Sequence, residues 1–97
     1  MSEQQLDEQI KRALEEKEIP RIHFNGFISS LGLGDMMVIL TQAAEPVAIL
    51  NMSYTVAKTL AEKLGNSIVT LEQKSGNTIM TIDDIKEIFA RDNNDTE

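Results

Sequence analysis

The chain has no cysteine, which removes a disulfide framework, a thiolate metal site and a cysteine nucleophile. It has no tryptophan and only four other aromatic residues, three Phe and one Tyr, so its 41% apolar share is almost wholly aliphatic. Positive charge is also scarce. Nine Lys and Arg stand against sixteen Asp and Glu, a net charge of −7. Such a balance argues against non-specific binding to nucleic acid or to an anionic membrane, both of which need a basic surface. No apolar run approaches the roughly eighteen residues of a membrane span. The opening MSEQQLDEQI is acidic and lacks the positive segment and apolar stretch of a secretory signal. A soluble cytoplasmic protein is expected.

The 97 residues predict one domain, 1–97, with a small core. Charge is segregated within it. Residues 1–20 and 75–97 carry the acidic excess, and 21–74 is neutral, so burial is expected in the middle. Residues 1–20 read as an acidic N-terminal helix over 2–18 with a narrow stripe of Leu6, Ile10, Ala13 and Leu14, stopped by Pro20. The stripe suits a docking surface better than a buried helix.

From Arg21 the period changes to two. Ile22 and Phe24 alternate with His23 and Asn25, and Gly26 suggests a bulge that brings Phe27 onto the Phe24 face. Gly32 and Gly34 mark a turn, DMMVILTQ (35–42) and PVAILNM (46–52) follow as apolar runs, and the connections are too short for parallel neighbours. Residues 21–52 therefore predict a three-stranded antiparallel meander. Residues 53–74 predict the main helix, with Ser53 as N-cap and Ala57, Leu60, Ala61, Leu64, Ile68 and Leu71 on one side. A competing parse ends that helix at Leu64, uses Gly65 as its stop, and makes 67–82 a second hairpin. TIDDIKEIFA opens a short helix over 81–91 capped by Thr81, and 92–97 reads as a disordered tail. The fold class is α+β.

The candidate chemistry is thin, and no catalytic residue, cofactor site or metal site is assigned. His23 is the lone histidine and reads as a surface or interface residue. Gly32 and Gly34 lack the following helix, lysine or Ser/Thr of a phosphate loop. Asp83 and Asp84 read as acids at a helix N-terminus. Met36, Met37, Met52 and Met80 read as packing side chains rather than as soft metal ligands. The informative feature is the doubly apolar character of the second and third strands. Met37 and Ile39 alternate with Met36, Val38 and Leu40, and Val47 and Ile49 alternate with Ala48, Leu50 and Met52. A strand with one wet face carries polar residues on it. One helix covers one face, so the candidate interface is Met36, Met37, Val38, Ile39, Leu40, Val47, Ile49 and Leu50, covered by a second copy of the sheet.

The run PVAILNMSYTVAKTLAEKLGNSIVTLEQKSG resembles the small bacterial family catalogued as domain of unknown function 3467. Pro46, Ser53, Ala57, Lys58, Leu60, Leu64, Ile68, Glu72 and Gly76 carry the likeness, with Asn25 and Asp35 upstream, over about 22–76. Tyr54 and Leu71 depart from its pattern, where a proline and an aromatic are usual. The resemblance implies the long-helix parse and no function. The meander followed by a helix under an acidic surface also looks like the SecB-type export chaperones, at the level of fold.

The expected role is a non-catalytic oligomeric binding or adaptor protein: a homo-oligomer with a protein partner and with neither nucleic acid nor membrane. The alternatives are a regulatory module that binds a small molecule and an acidic phage-type inhibitor. The charge yields the first prediction. At micromolar protein, a mobility-shift assay on duplex DNA should show no complex at any salt concentration, and a salt-dependent shift would refute it.

Overall fold

A computed structural model describes residues 2–95, with side chains through Arg91. The order is α1 (Glu3–Glu15), β1 (Gly26–Leu31), β2 (Asp35–Gln42), β3 (Glu45–Ser53), α2 (Tyr54–Ser75) and α3 (Ile82–Asp95). The architecture is α+β, and the chain divides between Ser53 and Tyr54 into two units.

In the first unit, Ser2 caps α1. Its hydroxyl accepts from the Gln5 N–H and the Gln5 side chain accepts from the Ser2 N–H. This reciprocal box satisfies two of the four donors that a helix start leaves open. The helix stops at Glu15, before the 18 expected, and Glu16 is extended. No apolar residue continues the stripe past Leu14, and the Arg21 guanidinium donates to the Leu14 carbonyl, one of the acceptors left open at the helix end.

The sheet has the order β1-β2-β3, antiparallel throughout. β1 starts at Gly26, so the expected pairing of 21–25 is corrected. The register sets Gly26 against Thr41 and β2 ends at Gln42, which leaves residues 21–24 no strand to face. Asn25 closes this end instead. Its N–H donates to the Thr41 carbonyl and its Oδ1 accepts from the Ala43 N–H. Gly26 is needed for close approach, since a Cβ there would lie 2.8 Å from Thr41 Oγ1. The register shift falls between Leu40 and Thr41, which face Ala48 and Pro46, and not at Gly26. Pro46 has no N–H to give the ladder, and the extra residue, Val47, is accommodated beside it. The β2–β3 turn places two alanines at positive φ, Ala43 at 52° and Ala44 at 69°. This is the twist that a two-residue hairpin requires, and it suits Asn and Gly better than Ala.

In the second unit, α2 runs unbroken through Gly65 for 22 residues, so the hairpin parse of 67–82 is not adopted. Ser53 ends β3 and directly precedes the helix. Gly76, at φ 73°, closes it by donating its N–H to the Glu72 carbonyl, the left-handed C-terminal stop that glycine adopts without strain. The Glu72 side chain then accepts from the Ile79 N–H at 2.8 Å. Thr81 opens α3 as expected. Its hydroxyl accepts from the Asp84 N–H while Asp84 Oδ2 accepts from the Thr81 N–H. The helix continues to Asp95, which corrects the tail expected at 92–97 over its first four residues. Once a turn is nucleated each added residue gains a bond for one residue fixed, and the Glu87–Arg91 pair at 2.9 Å supports that turn. Residues 96–97 lie outside those described.

Gly65 has open space where a Cβ would stand and sits inside a helix. Gly65→Ala should therefore raise stability by about 1 kcal/mol, measured by denaturant titration, whereas Gly26→Ala should lower it.

Candidate functional site

Residues directly opposite in an antiparallel sheet project to the same side. The register therefore sorts the sheet into two faces. One carries the rows Phe27–Leu40–Ala48, Ser29–Val38–Leu50 and Leu31–Met36–Met52. Eight of these nine residues are apolar. The other carries the row Ile28–Ile39–Ile49 and the row Ser30–Met37–Asn51, with Thr41 beyond. That face is an isoleucine ladder with polar residues at its margins.

Within the first unit neither face has a finished cover. Among the described residues the buried hydrophobic side chain is Leu40, 6% exposed and sixth of the eight residues of the central strand. Phe27 and Leu31, on the same face, are 60% and 75% exposed, and Ile28 and Ile49, on the opposite face, 59% and 60%. Within this unit α1 makes no packing contact with a strand among the described residues, and its Leu6, Ile10 and Leu14 stay exposed. In the second unit, α2 and α3 do not pack on each other among the described residues. Leu60, Leu64, Ile68 and Leu71 of α2 and Ile82, Ile85 and Phe89 of α3 stay exposed. The Gln42 side-chain oxygen, at the end of the Leu40 face, is buried with no hydrogen-bond partner, an arrangement that costs about 1–3 kcal/mol unless an outside donor reaches it.

The edges of the sheet can be assigned as well. The Gly32 N–H donates to the Asp35 carbonyl and the Asn25 N–H to the Thr41 carbonyl. Both acceptors therefore turn toward β1, as do Met37 and Ile39 between them. The backbone groups of Met36, Val38 and Leu40 turn toward β3, and bind the opposing Met52, Leu50 and Ala48. Ile49 and Asn51 thus point their N–H and C=O groups outward from β3, and Phe27 and Ser29 do so from β1. Among the described residues no hydrogen bond reaches the outer side of β3 between Val47 and Met52.

The eight expected interface residues all lie in β2 and β3, divided between the faces. Met36, Val38, Leu40 and Leu50 share one, Met37, Ile39 and Ile49 the other, and Val47 sits at the irregularity. Phe27, Ile28, Leu31 and Met52 complete the faces and were not among them. The apolar positions of FISSL (27–31) were the available signal. His23 lies in the irregular segment before β1 and is exposed. Asp84 belongs to the Thr81 cap. Met36 and Met52 are direct neighbours, Met37 projects from the opposite face, and Met80 lies in the segment between α2 and α3. Among the described residues no three His, Cys, Asp or Glu side chains are placed to hold a metal ion, and no helix is long and apolar enough to cross a membrane. A depression of about 450 Å³ is lined, among the described residues, by Gln5, Glu8, Gln9 and Arg12 of α1. No family model, curated protein or solved structure matches the chain.

Leu40 marks where the sheet is already closed. Leu40→Ala should cost about 2–5 kcal/mol, the usual range for emptying a buried aliphatic site, measured as a shift in the denaturant midpoint.

Proposed function

We propose that the protein is a non-catalytic self-assembling protein of the cytoplasm, whose copies join through the sheet and present a surface to a protein partner. The observation that carries this reading is a three-stranded sheet with one almost wholly apolar face, an isoleucine ladder on the other, and one buried residue, Leu40. Obligate interfaces bury about 2,000–5,000 Å² in total and resemble a domain core cut in half, which is what these faces offer. The acidic residues of 1–20 and 75–97 keep such an assembly soluble without crossing its apolar faces. The likeness to the domain of unknown function 3467 is part of the same proposal: Pro46 stands near the start of β3, Ser53 before α2, and Gly76 at its stop.

Sedimentation velocity over a range of concentrations tests this directly, and a species larger than one chain is expected. Val38→Glu and Ile39→Glu place a charge on opposite faces, where burial without a partner costs several kcal/mol. At least one of them should lose the assembled species, seen by sedimentation, with circular dichroism reporting whether the chain stays folded. A compact monomeric wild type, in which one substitution leaves stability untouched, overturns the proposal. That face would then be wet, or closed by the chain's own segments.

A further inference from the structure

The geometry points to the outer edge of β3 as the seam between two copies: β3 of one chain pairs antiparallel with β3 of another, joining two three-stranded sheets into one of six strands. This rests on the self-assembly proposed above and adds to its face contacts an edge contact, which extends each face without covering it.

An open strand edge is a row of backbone donors and acceptors that invites another strand, and proteins guard it by shortness, charge or proline. β3 is nine residues long, the longest strand here, against six in β1. Its guards, Glu45 and Pro46, both stand at its first two positions. From Val47 to Ala57 there is no charged residue, so two chains of net charge −7 meet along this line without setting like charges against each other. Among the described residues no hydrogen bond reaches the outward groups of Ile49 and Asn51.

The strand is also suited to itself. Antiparallel pairing of identical strands has a twofold axis perpendicular to the sheet, and such a contact is isologous and closes at two copies. Ile49 of each copy then lies opposite Asn51 of the other, and their outward N–H and C=O groups exchange bonds. The axis keeps like face with like face. The Phe27–Leu40–Ala48 side of one chain continues into the same side of its mate, and the isoleucine ladder into the isoleucine ladder. A strand from an unrelated protein gains the same backbone bonds but no such match of faces.

The experiment uses the full chain, with amide hydrogen exchange read residue by residue beside sedimentation velocity. In the assembled wild type, the Ile49 and Asn51 amides should be protected to the level of Leu50, whose N–H lies in the β2–β3 ladder. Asn51→Pro removes an outward N–H and leaves that ladder intact, so it should lose the assembled species and keep the circular dichroism of the wild type. Asn51→Ala, which keeps the N–H, should still assemble. Should the proline variant fail to fold, the wild-type exchange pattern decides alone. A monomeric wild type defeats the self-assembly reading and this seam with it. An assembled wild type whose Ile49 and Asn51 amides exchange as freely as an open edge overturns the seam alone. So does loss of assembly in Ser29→Pro, on the β1 edge, when Asn51→Pro still assembles, and so does protection of these amides only after a foreign protein is added.

Discussion

The structure depends on the burial of the central strand. β2 is paired on both sides and apolar on both faces, so its residues need cover above and below. Two flanking strands give it lateral hydrogen bonds and nothing more. In a sheet three strands wide, about 14 Å at the usual spacing, every residue except those of β2 is at an edge, and cover is what decides stability. Each side chain left uncovered forgoes about 1.5–3 kcal/mol of driving force, a sum that matters against the few kcal/mol by which small domains are stable.

The backbone presents the opposite situation. The starts of α1 and α3 are closed by reciprocal caps, and the end of α2 by a left-handed glycine. The first strand is tied to the hairpin by Asn25. Local hydrogen bonding is thus satisfied from neighbouring sequence, while the apolar surface is not. Secondary structure here is specified by short-range chemistry that needs no partner, and tertiary cohesion is deferred to whatever meets the sheet and the helical stripes. The charges follow the same division, with the acidic excess on 1–20 and 75–97 and only Asp35 and Glu45, at strand starts, charged within the sheet.

Much of the fold was legible because its signals are local. The limits of β2 follow from Gly34 before it and the alanine turn after it. The length of α2 follows from the stripe that continues through Ile68 and Leu71 beyond Gly65. The capping residues of α3 are visible in the spacing of Thr81 and Asp84. What was hidden depends on register. Ile22 and Phe24 alternate like a strand, but only the position of Gly26 against Thr41 shows that β2 has ended before it reaches them. Runs such as MMVIL and VAIL carry no polar residue to mark a wet side, so alternation gives two sides to each strand and only the register shows which sides of neighbouring strands coincide. Alternation divided the interface residues within each strand, and the register then joined Met37 and Ile39 to Ile49 on one face and Val38 and Leu40 to Leu50 on the other.

The meander also fixes an order of events during synthesis. Each strand pairs with the next in sequence through a short turn, so the sheet needs nothing beyond Ser53 to form its ladders, and hairpins close within about 1–10 μs. Translation at about 5–20 residues per second then takes about 1–4 s to deliver the 22 residues of α2. For that interval the nascent chain holds a finished apolar sheet before its longest helix exists.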